Sequence, residues 1–490
     1  MKTLNKYALV LGMVAVTNFT SCKREYLDSP PETSVSAETS FDTPARVSGQ
    51  LLSIYSALKA GTFYGGRFQV YGEIRGEDFI ADDNNLVTGY DVWSLNVANN
   101  STSVKGVWAQ SYVAINRANI FLEGMAKKGT SVVGATLANN YIGEARFIRA
   151  LSYYSLLQLF ARPYADGAGS KPGLPLRLSG IMGPGESDIE RSSVADIYKQ
   201  VLDDLNFAET AVPVSYSSAY NNTTRIHKNT VIALKTRVYL SMQNYASVIT
   251  EGNKIVSPSA PFVAIGGGVA NSLQADVTNV YKSPYTTSES ILSMPFTTTA
   301  SPLDYPGTQN SLGSYFYQTS SSPGATIYSL NAAGIAGNTA AWPATDRRRN
   351  LLFTATSGKQ YVAKYPTGVQ YTDYAPVLRW PEVMLNLAEG LARTGTGVDA
   401  RALELVNAVR KRSDASVTLT ATTQAELIAL IMTERRIELL GEGFRNNDLM
   451  RLLQTIPAKG AAPAKTPSET QYILPISIDE LSLNKLMKDN

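Results

Sequence analysis

Two stretches of the 490-residue chain, 229–256 and 381–412, each predict a pair of helices joined by a short turn. In both pairs the first segment carries small and apolar residues at helical spacing, and the second segment repeats that spacing after a short polar break. Gly395 and Gly397 mark the turn of the second pair. Units of about 30 residues built in this way are typical of tetratricopeptide-like repeats, which bury their apolar faces against one another. The chain is therefore predicted to be mostly α-helical, with a scaffold of helical hairpins.

Further amphipathic segments at residues 107–125 and 141–160 predict additional helices. Two helices carry explicit start signals. Ser193 and Asp196 form a capping-box-like pair before one, and Thr423 and Glu426 form such a pair before another. The scaffold is thus expected to cover residues 41–256 and 378–490.

The helical period disappears between residues 257 and 377, where Gly, Ser, Thr, Pro and Tyr dominate. Ten of the 27 tyrosines fall in this segment, more than its share of the length. An irregular segment this long in a compact protein is usually either functional or disordered. The neighbouring aromatics Tyr315, Phe316 and Tyr317, with Trp342 further on, favour an ordered surface. We therefore predict a long, irregular, ligand-facing insertion.

The amino-acid composition excludes several kinds of chemistry. A single cysteine forms no internal disulfide, and a single histidine rules out zinc sites that need several imidazoles. The formal net charge is only +3 over the whole chain, which argues against a nucleic-acid partner. We predict no metal and no cofactor.

The N-terminus is typical of an exported protein. Lys2 and Lys6 precede an apolar run at residues 7–16. This run is too short to span a bilayer, which takes about 20 residues. Residues 1–21 are therefore predicted to be a signal peptide, and residues 22–40 a lipidated cysteine with a flexible tether. Cys22, the only cysteine, stands where a lipoprotein carries its lipid, so we predict acylation, palmitate included. A secretory signal with an incidental cysteine nearby is the alternative.

Two clusters of charged residues are open to a catalytic interpretation. The first, GEIRGEDF with the following DDNN, suits a glycosidase carboxylate pair, a calcium site, or acids that are solvated or paired with Arg75. Its acids are Glu73, Glu77, Asp78, Asp82 and Asp83. In the second, ERRIELLGEGFR, Glu434 and Glu438 lie one helical turn apart. Packing and ion pairing explain this second run better than catalysis does.

Several phrases, in their order and separation, carry a family resemblance over nearly the whole chain. They are Cys22 with LDSPPETSVS, GEIRGEDF, VWAQSYVAINRANIFLE, EARFIRALSYYSLLQLFARPY, RSSVADIYKQVLDDLNFA, RWPEVMLNLAEGLAR, ERRIELLGEGFRNNDLMRL and the closing YILPISIDELSLN. In these segments the chain resembles the SusD and RagB outer-membrane nutrient-binding lipoproteins of Bacteroidetes.

The resemblance implies a single domain, 41–490, with a tetratricopeptide-like scaffold and an irregular ligand-facing region. It further implies a lipid-anchored protein of the outer membrane that faces the cell exterior. Such proteins cap a SusC-like TonB-dependent transporter, capture an oligosaccharide or a peptide, and pass it to the pore without catalysis. The alternatives are peptide binding by the same architecture, a secreted glycoside hydrolase, and a tetratricopeptide adaptor that binds only protein.

Sugar rings pack on aromatic side chains while amides and acids bond their hydroxyls. Trp93, with Asp91 and Asn96 in GYDVWSLN, has this composition. Some glycan-binding members of the resembled family supply a tryptophan and an asparagine at about this point. Tyr315, Tyr317 and Trp342 are predicted to complete the surface. The alternative for each aromatic residue is burial against the scaffold.

Overall fold

The computed structural model of the protein describes residues 39–183, 187–299, 304–317 and 327–490. The predicted signal peptide, Cys22 and the tether up to residue 38 lie outside these ranges. Helices dominate the described part, which confirms the prediction of a mostly helical protein. The α-helices are α1 Pro44–Leu58, α2 Arg67–Ile74, α3 Tyr90–Trp93, α4 Thr102–Gly124, α5 Thr130–Val133, α6 Ala135–Phe160, α7 Val194–Ala211, α8 Ala219–Thr224, α9 Lys228–Ser241, α10 Tyr245–Ile255, α11 Leu312–Phe316, α12 Trp380–Thr394, α13 Ala400–Ser413, α14 Gln424–Glu438, α15 Arg445–Arg451 and α16 Ile478–Leu483.

The strands are short and pair two by two in antiparallel ladders, β1 with β5, β2 with β3, β4 with β8 and β6 with β7. They are β1 Phe79–Ala81, β2 Pro172–Pro175, β3 Arg191–Ser193, β4 Ser290–Met294, β5 Tyr328–Leu330, β6 Leu352–Thr354, β7 Gln360–Val362 and β8 Ala375–Arg379.

The two predicted helical hairpins are α9 with α10 and α12 with α13. They stack on one another because α10 packs against α12, and α14 then packs on α12 and α13. Small residues allow the close approach: a Cβ on Gly390 would lie 3.2 Å from Val248 Cγ1 of α10. A second group of helices, α1, α4, α6 and α7, joins this stack where α7 packs against α9. The tetratricopeptide-like scaffold is thus confirmed.

Both predicted helix starts are capped as their sequences indicate. Ser193 Oγ accepts the Asp196 N–H at 3.0 Å and so begins α7. At α14 the capping box is reciprocal, because Thr423 Oγ1 accepts the Glu426 N–H at 3.1 Å and Glu426 Oε2 accepts the Thr423 N–H at 3.3 Å. Each cap satisfies backbone groups that the first turn of a helix leaves without partners.

Between α10 and α12 the described chain holds short strands, 3₁₀ turns and the one-turn helix α11. The first strand of this insertion, β4, pairs with β8, and β8 continues directly into α12. The insertion is therefore anchored to the scaffold at its end. Its remaining elements place loops next to the segment 79–90, because β5 pairs with β1.

A buried set of charged side chains, the ion-pair network, fastens the insertion to the C-terminal helices. Its side chains are at most 5% exposed. They are Glu289, Asp346, Arg348, Lys364, Arg379, Arg410, Arg412, Glu434, Glu438 and Glu442. Five acids face five bases, so the charges balance. At its centre, Arg379 donates to Glu289 at 2.6 Å and to Glu442 at 2.7 Å. The pairing interpretation of the ERRIELLGEGFR run therefore describes Glu434 and Glu438 correctly.

Candidate ligand-binding site

The acids of GEIRGEDF are occupied by protein partners. Glu73 Oε1 accepts the N–H groups of Gly443 and Phe444 at 2.7 and 2.8 Å. Arg445 donates to both oxygens of Glu77, and Arg436 donates to both oxygens of Asp78. These carboxylates join the N-terminal segment to α14, to the loop that follows it and to the start of α15.

Arg75 does not pair with these acids, contrary to one of the interpretations of the sequence. It donates to Asn446 Oδ1 at 3.0 Å and to the Tyr472 carbonyl at 2.8 Å. Arg75, the C-cap residue of α2, therefore joins the N-terminal segment to α15 and to the C-terminal segment. In the residues that the structure describes, no cluster of three or more His, Cys, Asp and Glu side chains is arranged to hold a metal ion.

Trp93, the predicted centre of the ligand surface, ends the short helix α3 and is only 3% exposed. Its Nε1–H donates to the Phe79 carbonyl at 2.8 Å, and Lys459 Nζ lies 5.8 Å from its ring centroid. Asp91 is also buried and accepts the hydroxyl groups of Ser101 and Ser103. Asn96 is exposed. Of these three residues, only Asn96 presents its side chain to solvent.

Tyr315 is fully buried and stacks on Tyr328, with 6.1 Å between the ring centroids. Its hydroxyl donates to the Gln309 carbonyl at 2.8 Å. Tyr317 is partly exposed, with its ring 6.3 Å from that of Phe353.

Trp342 is buried under the Arg349 guanidinium, which lies 4.3 Å from the centroid of its ring. The structure therefore places Trp93, Tyr315 and Trp342 against the protein interior, which is the alternative that the sequence left open. In this arrangement none of the three rings offers a face to a sugar. Direct contact of these three residues with a ligand stays a prediction, and so does that of Asp91. The buried positions of all four do not support it.

A different surface carries the exposed groups that a glycan site needs. We name it the loop face and define it as residues 83–87 and 305–309. Residues 83–87 are all exposed, and within them Leu86 is 61% and Val87 45% exposed. Tyr305 is 38% exposed, and the neighbouring Gln309 is exposed as well. Apolar and aromatic surface thus lies among the amides Asn84, Asn85 and Gln309.

The two halves of the loop face are held together from beneath by buried side chains. Arg67 donates to the Val87 carbonyl at 3.2 Å and to the Gln309 carbonyl at 3.4 Å. Tyr328, stacked on Tyr315, donates to the Thr88 carbonyl at 3.0 Å. Tyr315 therefore supports this surface from the core. A preformed surface of this kind loses little conformational entropy when a ligand binds, because its loops are already ordered.

Sequence reasoning missed the loop face as a unit. The only local signal was DDNNLV, in which two large apolar residues follow four acids and amides with no helical period. Nothing in the sequence indicated that Arg67 joins this segment to residues more than 200 positions away.

Two family models match the chain. One, described as starch-binding and associating with the outer membrane, matches residues 25–240, and one described as the SusD family matches residues 312–462. A SusD superfamily protein from Bacteroides fragilis has a crystal structure that is 31% identical in sequence, with a TM-score of 0.80 over 92% of this chain and 100% of that one. This chain belongs to the SusD/RagB family.

Two further SusD-like proteins are similar to this chain at lower identity. A SusD-like protein of Formosa agariphila is 22% identical over 100% of this chain and 99% of its own length. A laminarin-binding SusD-like protein of known structure is 19% identical and has a TM-score of 0.71 over 91% of this chain and 99% of that one. The latter shows a shared fold.

Proposed function

We propose that this SusD-family protein is a lipid-anchored outer-membrane protein that captures oligosaccharides outside the cell and passes them to a SusC-like TonB-dependent transporter. The observation that carries the proposal is the loop face, where exposed apolar and aromatic side chains lie among amides on a preformed surface. Sugars bind to such surfaces through the packing of their CH-rich faces and through hydrogen bonds to their hydroxyl groups. The family models and the name of the laminarin-binding relative agree with a carbohydrate ligand.

Asn96 and Tyr317 are the two originally predicted contacts whose side chains reach solvent. We include them in the proposed binding region as secondary contacts. The other four predicted contacts are buried, so a ligand would reach them only after their surroundings rearrange. They are Trp93, Asp91, Tyr315 and Trp342.

Binding is tested by native electrophoresis of the purified protein in gels that contain laminarin, starch, xylan, alginate or mucin glycans, followed by calorimetry with each glycan that retards it. The variants Leu86→Ser and Tyr305→Ala remove apolar contact from the loop face and should weaken binding about fivefold or more. Leu483→Ser, at an exposed leucine in α16, is the matched control and should bind like the wild type. Retardation by none of the glycans, together with retention of a peptide digest, would show a peptide-binding protein instead.

Anchoring by lipid rests on the N-terminal sequence, since Cys22 lies outside the described residues. Within those residues, no helix has the length and apolar character that a membrane crossing requires. Cys22→Ala should abolish palmitate labelling and release the protein from the membrane fraction. A variant that stays labelled and membrane-bound would refute the lipid anchor. Co-purification of a TonB-dependent transporter with the wild-type protein tests the delivery step.

We propose that the protein performs no hydrolysis. The acids Glu73, Glu77 and Asp78 are engaged by backbone N–H groups or arginines and so are not free to act as an acid and nucleophile pair. Reducing ends released from a bound glycan, and lost in Glu77→Gln, would identify a hydrolase.

A further inference from the structure

A second aromatic surface, formed by the insertion and helix α8, contains none of the six predicted contacts. Tyr285 and Tyr374 stack with 4.6 Å between ring centroids and 20° between ring planes, and both are partly exposed. Tyr220, in α8, is 50% exposed. Two observations place Tyr220 near the pair. Helix α8 packs against β4, the strand that follows Tyr285 in the chain. Burial raises the pKa of Tyr374, and the nearby phenol of Tyr220 raises it further.

The ring of Tyr285 is held in one position. Its hydroxyl donates to Asp373 Oδ1 at 3.1 Å, and Asp373 Oδ2 accepts the Thr367 N–H at 3.0 Å. Asp373 is buried, so this acceptor is itself fixed. A rigid ring loses little freedom when a ligand packs on it, which favours binding.

The backbone of Tyr285 adopts a conformation that is unfavourable for a bulky residue. Its φ is +61°, in the left-handed region that glycine adopts far more easily than a bulky residue. A tyrosine in such a conformation persists when its surroundings over-determine it, and such residues concentrate at functional sites. The buried stack of Tyr315 on Tyr328 needs no ligand to explain it, whereas this stack reaches the surface.

The groups around the three tyrosines fit a sugar. Thr367 is exposed and offers a hydroxyl, and its N–H donates to the same carboxylate, Asp373, that accepts from Tyr285. Gln370, three residues further along this loop, is exposed and carries an amide. Within residues 217–224, 283–287 and 366–374, Tyr220 is the one exposed large hydrophobic side chain that the structure describes. A stable protein interface buries roughly 800 Å² on each partner around a more apolar core. A flat aromatic face with neutral hydrogen-bonding groups at its edge suits the face and rim of a pyranose ring.

We propose that Tyr220, Tyr285 and Tyr374 form a second carbohydrate-binding surface, distinct from the loop face, that packs against the CH-rich face of a pyranose ring. The surface rests on the proposed function, because it gives the captured glycan a second point of contact. The two surfaces are linked through α11. This helix follows residues 305–309 of the loop face in the chain, and it packs against the turn at residues 368–370, which precedes Tyr374. A glycan of several residues bound at both sites gains avidity from the link between them.

The test uses Tyr285→Gly, Tyr220→Ser and the matched control Tyr239→Ser, all in the purified full protein. Tyr285→Gly removes the ring where glycine adopts the backbone conformation easily, so the fold should persist, which thermal unfolding checks. Tyr239 is a partly exposed tyrosine of the scaffold helix α9. Each protein is run in gels containing laminarin, starch, xylan, alginate or mucin glycans, and calorimetry measures the dissociation constant for each retarding glycan.

We expect Tyr285→Gly and Tyr220→Ser each to weaken binding by about fivefold or more, and Tyr239→Ser to bind like the wild type. Tyr285→Phe, which keeps the stacked ring, should retain most of the affinity. Wild-type affinity in Tyr285→Gly and Tyr220→Ser, with weaker binding in the loop-face variants, would overturn the second surface and leave the proposed function standing. A wild-type protein that no glycan retards would overturn the proposed function itself. Cross-linking from position 285 to a partner protein, with glycan affinity unchanged, would assign the surface to that protein.

Discussion

At the scale of single residues, the burial of an aromatic side chain differs between tryptophan and tyrosine. All four tryptophans of the chain, Trp93, Trp108, Trp342 and Trp380, are buried. Among the described residues, the most exposed aromatic side chains are the tyrosines Tyr220 and Tyr305. Tryptophan removes the largest apolar area from water when it is buried, while tyrosine keeps a hydroxyl that is satisfied at a surface. Composition alone therefore did not separate the rings that pack in the core from those that reach solvent.

Arg379 is the residue whose loss should matter most for stability. It is buried and holds Glu289, Glu438 and Glu442 in the ion-pair network. Arg379→Met leaves buried carboxylates without their partner, and we expect it to lower the free energy of unfolding by about 3–5 kcal/mol, or to prevent folding. Urea denaturation followed by circular dichroism measures the change.

The control for this prediction is Lys199→Met, which breaks an exposed ion pair with Asp203. Exposed pairs contribute about 0–1 kcal/mol, so this variant should unfold close to the wild type. A difference below about 1 kcal/mol between Arg379→Met and wild type would contradict a stabilising role for the network.

Glu73 makes a second prediction at this scale, on pH. Burial raises its pKa to about 7 from an ordinary value of 4.5, although the N–H groups of Phe444 and Gly443 oppose the shift. The folded state therefore binds more protons than the unfolded state between these pH values, and stability from this group falls as pH rises from 4.5 to 7. Glu73→Gln keeps the Oε1 acceptor and removes the charge.

We expect Glu73→Gln to match the wild type near pH 4.5 and to become more stable than it by about 1–3 kcal/mol at pH 8. Denaturant unfolding at both pH values measures the difference. Glu404→Gln, at an exposed position of α13, is the control and should show no such pH dependence. An equal stability difference at the two pH values would show that Glu73 does not titrate in this way.

At the scale of elements, the helical hairpins were the most predictable part of the chain. Their apolar period, short turns and caps are local properties, and α9, α10, α12 and α13 begin and end within a few residues of the predicted positions. The insertion was recognisable only by the loss of that period. Its strands are short, and only β6 and β7 pair as neighbours in the chain. Strand β4 pairs with the distant β8, and β5 pairs with the distant β1, and such pairing leaves no local signal.

The contact between α10 and α12 makes a prediction about glycine. A Cβ on Gly390 would lie 3.2 Å from Val248 Cγ1 and 3.3 Å from the Tyr245 carbonyl oxygen, so a large side chain must push the helices apart. Gly390→Leu should destabilise the protein by about 2 kcal/mol or more. Gly49, inside the exposed face of α1, has open space around its Cα. Gly49→Ala should instead stabilise it by about 0.5–1 kcal/mol.

Thermal and urea unfolding of both glycine variants check this contrast. Two variants that shift stability in the same direction would show that helix propensity, and not the distance between α10 and α12, decides the effect at Gly390.

At the scale of the whole molecule, the ion-pair network makes the insertion and the scaffold one structure. Burial alone would raise the pKa of Glu438, but the charges of Arg412, Arg379 and Arg348 hold it well below its usual value. Arg379 and Lys364 likewise lower the pKa of Glu442 against the effect of burial. The network thus ties the insertion, which contributes residues 305–309 to the loop face, to α13 and α14.

These lowered pKa values predict acid sensitivity. A carboxyl group with a depressed folded-state pKa contributes stability above its unfolded value of 4.5, and this stability is lost as pH falls below 4.5. We expect the midpoint of thermal unfolding of Glu73→Gln, in which the pH dependence of Glu73 itself is removed, to change little between pH 7.5 and 5 and to drop steeply between pH 4.5 and 3. Because the pairs are buried, 0.5 M salt at pH 7 should alter the midpoint only slightly. A midpoint that holds steady down to pH 3 would contradict this account.

The sequence by itself determined the mostly helical class, the hairpin units, the helix caps, the position of the insertion and the family resemblance. Each of these depends on residues close together in the chain, or on the order of short phrases along it. The tertiary structure alone decided which aromatic rings reach solvent and which acids have partners. Arg67 shows the physical reason: it joins Val87 to Gln309 across more than 200 residues, and such contacts follow from packing that no local pattern encodes.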